Sequence, residues 1–172
     1  MNAIKNAIRD IPDFPKKGIV FKDITPLLNQ PKLFQKVVDI FYSRYEGDRI
    51  QKVIGIESRG FILGSVLAYR LEAGFSIVRK TGKLPYKTIK KSYDLEYGTD
   101  HLEMHEDSIE ADDRVLIVDD LLATGGTCNA TIQLVEELKG KVVGCAFLIE
   151  LSFLKGREKL KNYDVFSIVQ YA

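Results

Sequence analysis

VLIVDDLLATGGT, residues 115–127, joins an apolar run to two adjacent carboxylates and then to a loop of small and hydroxylated residues that opens a helical pattern. Val115, Leu116, Ile117 and Val118 form the continuous β-branched and apolar run of a strand buried on both faces, the mark of a parallel sheet covered by helices. Asp119 and Asp120 then fall at the carboxyl end of that strand. In open α/β sheets ligands bind outside the carboxyl ends of the strands, so two carboxylates placed there face a ligand rather than a core. They can accept hydrogen bonds from sugar hydroxyls or orient a hydrated cation. Ala123, Thr124, Gly125, Gly126 and Thr127 let the backbone turn tightly and bring several N–H groups and hydroxyls to one point, with a helix amino terminus behind them. Such a concavity binds phosphate, and carboxylates beside it describe a site for a sugar phosphate. No GxxxxGK[ST] loop and no GxGxxG occurs anywhere in the chain, which excludes the common nucleoside-triphosphate and dinucleotide fingerprints.

Working outward, strands and helices alternate around the motif. Residues 52–57 read as a strand, 61–71 as a helix, 75–80 as a strand, the stretch from the motif to about Leu138 as a helix, and 142–151 and 165–171 as strands. Alternation of this kind predicts an α/β fold with a mainly parallel twisted sheet flanked by helices. No repeat or linker interrupts it, so residues 1–172 form a single domain, of a length and with a 45% hydrophobic content sufficient for a full core. Ahead of the sheet, Ile4, Ala7, Ile8 and Ile11 share one face of a short predicted helix, followed by a loop punctuated by Pro12, Pro15, Gly18 and Pro26. A second helix starts near Asn29, with Pro31 in its first turn and Leu33, Val37, Ile40 and Phe41 at helical spacing until Gly47. Residues 81–113 break the rhythm: no helical pattern, Gly82, Pro85, many lysines, and a weak alternation at Tyr93, Leu95, Tyr97, Leu102 and Met104. They read as a hairpin turning at Gly98 to Asp100, and an excursion of this length inside a compact domain is a flexible lid or binding loop.

Twenty-five basic against 24 acidic residues, a formal charge of +1, give no global field for nucleic acid or an anionic membrane. The first residues lack the apolar core of a secretory signal and no run approaches the ~20 apolar residues of a membrane span, so a cytoplasmic protein is expected. Cys128 and Cys145 fit no paired metal spacing and read as reduced structural thiols. His101 and His105 lie four apart, but in a predicted hairpin and without completing ligands, so no direct metal site is expected. Lys155, Arg157, Lys159 and Lys161 read as a solvated helix face.

The 115–127 motif resembles the phosphoribosyl pyrophosphate (PRPP) binding motif of type I phosphoribosyltransferases, whose acidic pair holds the ribose hydroxyls and whose loop cradles the 5′-phosphate. The stretch 54–61, IGIESRGF, repeats the strand, polar loop and helix order at a second strand end, where Ser58 and Arg59 offer donors and Gly60 allows close backbone approach. Arg79 and Lys80, with Lys83 just beyond, end a third strand. These cations suit pyrophosphate, whose charge develops as the C1′–O bond breaks.

The resemblance sharpens toward the adenine-specific branch of that family. Residues 13–26, DFPKKGIVFKDITP, are similar to its base-binding hood (about residues 1–30 here), which implies that Phe21 stacks on adenine while main-chain groups of Val20 and Lys22 read the amino edge. Lys22 stands where that branch usually has Arg. YDLEYG, residues 93–98, is similar to its lid, which implies Glu96 near the purine N7 as acid/base and Tyr97 closing over the site. RKTGKLP (79–85) and LIELSFLKGREKL (148–160) extend the likeness to nearly the whole chain. Ala123 stands where enzymes for 6-oxopurines usually carry an Asp, which favours adenine. The resemblance thus implies purine salvage by transfer of the 5-phosphoribosyl group from PRPP to adenine, giving AMP and pyrophosphate. It implies Mg2+ held mainly by PRPP, touched by Asp119 and Asp120 through water, and a homodimer in which Arg79 serves the neighbouring subunit. No nucleic-acid or membrane partner is implied. A regulator that keeps the fold without turnover is the alternative class, and an intact Glu96 with no charged extension opposes it.

Overall fold

The computed structural model describes residues 2–94 and 99–172. At the amino end, α1 (Asn2–Asn6) gives way to β1 (Arg9–Pro12), which pairs antiparallel with β2 (Val20–Asp23) in a separate two-stranded sheet, Ile11 opposite Phe21. This corrects two sequence expectations. Ile11 is a strand residue rather than part of the first helix, and the expected loop up to Pro26 contains β2. The ring of Pro12 disfavours helical backbone at Ile11, and the pairing with residues 20–23 then holds the segment extended. Next come α2 (Thr25–Leu28) and α3 (Pro31–Tyr45), each with a proline in the first turn, where the missing N–H costs nothing. The inward face of α3 buries Val37, Val38, Phe41 and Tyr45.

The remainder builds one seven-stranded sheet: β3 (Lys52–Ile56), α4 (Gly60–Arg70), β4 (Gly74–Lys80), β5 (Thr88–Asp94), β6 (Thr99–His105), β7 (Arg114–Leu122), α5 (Gly126–Glu137), β8 (Lys141–Leu151) and β9 (Val165–Tyr171). Strand order is β5-β6-β4-β3-β7-β8-β9, with β3, β4, β7, β8 and β9 paired parallel and β6 antiparallel to both β4 and β5, in keeping with the mainly parallel expectation. Alternation along β7 divides the core. Leu116 and Val118 join Leu63, Leu67, Phe41 and Val37 on one face, and Val115 and Ile117 join Leu134, Val135 and Phe147 on the other.

The segment 81–113 is a hairpin, but it is not set apart from the domain. β6 pairs with β4, Leu102 and Met104 are buried, and α5 packs on β5. Thr99 and Asp100, expected in the turn, lie in β6 and pair with Asp94 and Tyr93, and Gly98 lies outside the described residues. β5 forms one border of the sheet, and its Lys90 and Lys91 reach Glu103 at 2.7 Å and Glu137 at 2.6 Å.

The basic run near the carboxyl end also differs in part from expectation. Lys155, Arg157, Lys159 and Lys161 are exposed, as expected, but they stand on two 3-10 turns rather than one helix face, Ser152–Leu154 and Gly156–Leu160, with Lys155 between them in left-handed backbone (φ 52). Arg157 turns inward there to Glu150, which is buried.

Candidate active site

β3, β4 and β7 end at one edge of the sheet, as a parallel arrangement requires, and a cleft of about 340 Å3 opens there. Ser58, Arg59, Lys80, Asp119, Asp120, Ala123, Thr124, Gly125 and Thr127 all line it. Leu122, Cys128 and Phe147 add an apolar part to the lining. Gly125 takes left-handed backbone (φ 78) and Gly126 opens α5, so the loop turns sharply into a twelve-residue helix whose first N–H groups are free of intrahelical partners. Gly60 is required at the β3–α4 turn for a different reason. A Cβ there would lie 2.8 Å from the Val118 carbonyl oxygen and 2.9 Å from Asp119 Oδ1, so only glycine lets this turn press against the end of β7.

The strand continues past Val118 to Leu122, because β8 keeps pairing with it at Asp119, Leu121 and Leu122. Both carboxylates therefore stand on extended backbone near the strand end. Asp119 Oδ1 accepts from the Asp120 N–H at 2.9 Å. Asp120 is buried, and its Oδ2 lies 2.9 Å from Arg59 Nη2. That contact pairs charges without an aligned N–H, so Oδ2 accepts no hydrogen bond among the described residues. Burial raises the affinity of both carboxylates for a proton, Asp119 the more strongly because the Asp120 charge adds to it; Arg59 works in the opposite direction. Two crowded carboxylates with an unfilled buried acceptor are the donor set that a sugar hydroxyl or a hydrated cation would complete.

Arg59 links this acidic pair to the amino-terminal hairpin. Its Nη1 donates to the Lys22 carbonyl at 3.4 Å, and its guanidinium lies 4.7 Å from the centroid of Phe21. Phe14 meets the same ring edge-on at 5.2 Å. Val20 is exposed. The Lys22 side chain is only 10% exposed and points elsewhere: its ammonium is 2.7 Å from Asp10 and 3.9 Å from the ring centroid of Tyr171. The Lys-for-Arg exchange therefore falls on the far side of β2 from Phe21, and the carbonyl is what Lys22 presents to Arg59.

The cations of β4 are less available than the sequence suggests. Arg79 grips Glu57 with Nε at 3.2 Å and Nη2 at 3.0 Å and donates to the Lys83 carbonyl at 3.2 Å. Glu57 also accepts from the Lys80 N–H at 3.0 Å, and the Arg79 bonds hold its carboxyl below the usual range. Neither Arg79 nor Lys83 lines the cleft. Lys80 does, with its ammonium 2.9 Å from Asp100, which also accepts from the Tyr93 hydroxyl at 3.2 Å. Sequence reasoning passed over Glu57, although it directly follows β3 as Asp119 approaches the end of β7; the same place in the strand–loop–helix unit was its signal. Asp100 and Tyr93 had no such signal, because cross-strand register brings them to Lys80. The Glu57–Ser58 peptide is cis. Glu96 and Tyr97 lie outside the described residues.

Cys128 and Cys145 are free and buried, and contact with Cys145 together with burial pushes the Cys128 thiol up, as suits an inert structural group. No group of three or more metal-ligating side chains gathers among the described residues, and none of their helices is long and apolar enough to cross a membrane.

The chain matches the phosphoribosyl transferase domain family over residues 23–171. It is 58% identical over 171 residues to the adenine phosphoribosyltransferase of Syntrophotalea carbinolica, covering 99% of this chain and 100% of that one. Among solved structures, adenine phosphoribosyltransferase from Rhodothermus marinus superposes with a TM-score of 0.96 at 56% identity, covering 99% of this chain and 97% of the other. The Saccharomyces cerevisiae enzyme, complexed with adenine and an imino-altritol bisphosphate, superposes with a TM-score of 0.92 at 44% identity and 96% coverage of each chain.

Proposed function

The chain belongs to the phosphoribosyltransferase family, and from that membership we propose that it is a purine-salvage enzyme transferring the 5-phosphoribosyl group of PRPP to adenine, with AMP and pyrophosphate as products. The observation that carries the reading is the meeting, in one cleft, of an acidic pair with an unfilled buried acceptor and a glycine-bent loop at a helix amino terminus. Full-length identity of 58% to an adenine phosphoribosyltransferase supports the choice of base.

In this reading Asp119 and Asp120 accept hydrogen bonds from the ribose hydroxyls, and Ala123 to Thr127 hold the 5′-phosphate. Arg59 leaves Asp120 and the Phe21 face as substrates enter, and joins Ser58, Lys80, Arg79 and Lys83 around pyrophosphate. For Arg79 this means exchanging Glu57 for the ligand. Phe21 stacks the base, and the backbone of Val20 and Lys22 reads its amino edge. N9 attacks C1′ as the C1′–O bond to pyrophosphate breaks and its electron pair leaves with the pyrophosphate. Fixed cations stabilise the charge that develops on the leaving group. Adenine bound as its N7–H tautomer gives that proton to the Glu96 carboxylate as N9 forms its bond to C1′, and Tyr97 covers the site. Bound Mg2+, held mainly by PRPP and reached through water by Asp119 and Asp120, would neutralise part of the pyrophosphate charge. The assembly proposed is a homodimer, which sedimentation would reveal as twice the 19.5 kDa chain mass.

The test is pyrophosphate release from PRPP and Mg2+ with adenine, hypoxanthine, guanine and xanthine in parallel, with Asp120→Asn as the blank. Turnover with adenine alone supports the reading. Turnover with a 6-oxopurine would overturn the choice of base, and PRPP binding without turnover would make the chain a regulator.

A further inference from the structure

The phosphate loop does not stand alone. Behind it runs Gly156, whose backbone packs directly against that of Ala123 and Gly125. A Cβ on Gly156 would collide with the Ala123 carbonyl oxygen, and a Cβ on Gly125 would collide with the Gly156 carbonyl oxygen. Two glycines thus meet back to back, one in the loop and one in the 3-10 turn beneath it. The next residue, Arg157, ties the turn to two strands at once. Nε and Nη2 reach the two oxygens of Glu150 at 3.0 and 2.7 Å, Nη1 donates to the Val165 carbonyl at 2.6 Å, and Nη2 also donates to Ser167 Oγ at 3.2 Å. Glu150 in turn accepts from Ser167 Oγ at 2.5 Å and from Gln170 Nε2 at 3.4 Å. A planar fork that satisfies a buried carboxylate and a strand carbonyl together leaves the turn one position to occupy.

We propose that Arg157 is a positioning residue for PRPP: through Gly156 it sets the height and tilt of the loop 123–127 that receives the 5′-phosphate. The proposal rests on the reading of that loop as the phosphate site. Arg157 touches no substrate in this account. Loss of its fork lets Gly156 drop away from Ala123 and Gly125, and the convergent N–H groups lose their common focus.

The experiment measures kcat and KM for PRPP and for adenine separately, with thermal melts, in Arg157→Gln, Arg157→Lys, Gly156→Ala and, as the check on the site itself, Thr127→Ala. Arg157→Gln is expected to raise KM for PRPP about tenfold or more while KM for adenine moves less than about threefold. Arg157→Lys keeps the charge on Glu150 but not the fork, so it should recover part of that loss. Gly156→Ala should reproduce the PRPP defect with the Glu150 network intact. If Arg157→Gln lowers the melting temperature but shifts both KM values alike, or neither, the residue is merely structural and the proposal falls; should that variant fail to fold, Arg157→Lys and Gly156→Ala decide it by the same criterion. An unchanged KM for PRPP in Thr127→Ala would instead sink the phosphate-loop reading, whatever Arg157 does.

Discussion

Two arginine–carboxylate pairs in this molecule look alike in distance and behave oppositely. Arg59 stands 2.9 Å from Asp120, and Arg157 stands 2.7 Å from Glu150, with both carboxylates buried. Glu150 receives the arginine fork, a serine hydroxyl and a glutamine amide, and Arg157 holds its carboxyl below the usual range. Asp120 Oδ2 receives no aligned donor, sits beside a second carboxylate, and is pushed up by burial. Proximity of opposite charge is therefore a poor guide to what a pair does. The number of lone pairs left unfilled decides it, since a saturated buried carboxylate stabilises its ion and an unsaturated one resists ionisation. One pair is finished as structure, and the other is left for a ligand to finish.

Replacing the two kinds of carboxylate should break the resemblance outright. Asp119→Asn is expected to cut turnover by about 10²- to 10³-fold, because an amide can no longer accept at both positions from ribose hydroxyls, while the fold persists. Near-normal kcat in that variant would remove the acidic pair from the mechanism. Glu150→Ala should instead act on stability. With Arg157 43% exposed and thus partly able to recover water, the cost is about 2 kcal/mol, seen as a melting temperature roughly 4–8 °C lower. A melt within about a degree of the parent would show that the network is decorative.

Titration sharpens the contrast. The raised proton affinity of Asp119 means that the folded state keeps a proton the unfolded chain has lost, so this residue's contribution to stability diminishes as pH rises above the ordinary carboxylate range, about 4. The depressed affinity of Glu150 means that its contribution is present above that range and is lost as pH falls through the lowered value. Melting curves from about pH 4 to pH 7 should show Asp119→Asn gaining on the parent as pH rises, and Glu150→Ala falling further behind. Parallel curves for both would contradict the assignment of opposite shifts. The smallest effect is expected at Tyr45, whose hydroxyl is buried with no hydrogen-bond partner among the described residues. Tyr45→Phe removes an unsatisfied group without changing shape and should raise stability by about 0.5–1 kcal/mol in a denaturant melt. A loss instead would mean that the hydroxyl is satisfied in solution.

The finished pair was the harder one to read from sequence. Arg157 lies among Lys155, Lys159 and Lys161, and a run of four spaced cations has the look of a solvated face. Only the pairing of β8 with β9, Glu150 opposite Gln170 and Phe147 opposite Ser167, with the Ser167 hydroxyl turned to Glu150, shows where the guanidinium goes. Of the unfinished pair, Asp120 was legible because its chemistry is local, a buried strand, two acids, then glycines and threonines in one continuous stretch, whereas Arg59 reaches it from the loop after another strand. The same distinction runs through the rest. The parallel strands and their helices follow from periodicity. The β1–β2 hairpin, the capture of Arg79 by Glu57 and the meeting of Lys80 with Asp100 depend on partners 8 to 22 residues away or on cross-strand register, which spacing along the chain does not encode. Lys22 belongs to this group. Its place in the hood motif was visible, but its ammonium answers to Tyr171, near the other end of the chain.

The border strand β5 has a bearing on the fate of the chain in a crowded cell. A strand at the rim of a sheet offers a row of unpaired backbone groups on which a foreign strand can grow. Here two consecutive lysines occupy the middle of that strand, one drawn to Glu103 behind it and the other to the helix residue Glu137. Any polypeptide aligning along the rim would have to approach two ammonium groups and strip their water. The same segment that brings Tyr93 to the cleft thus guards the domain against accretion into fibres.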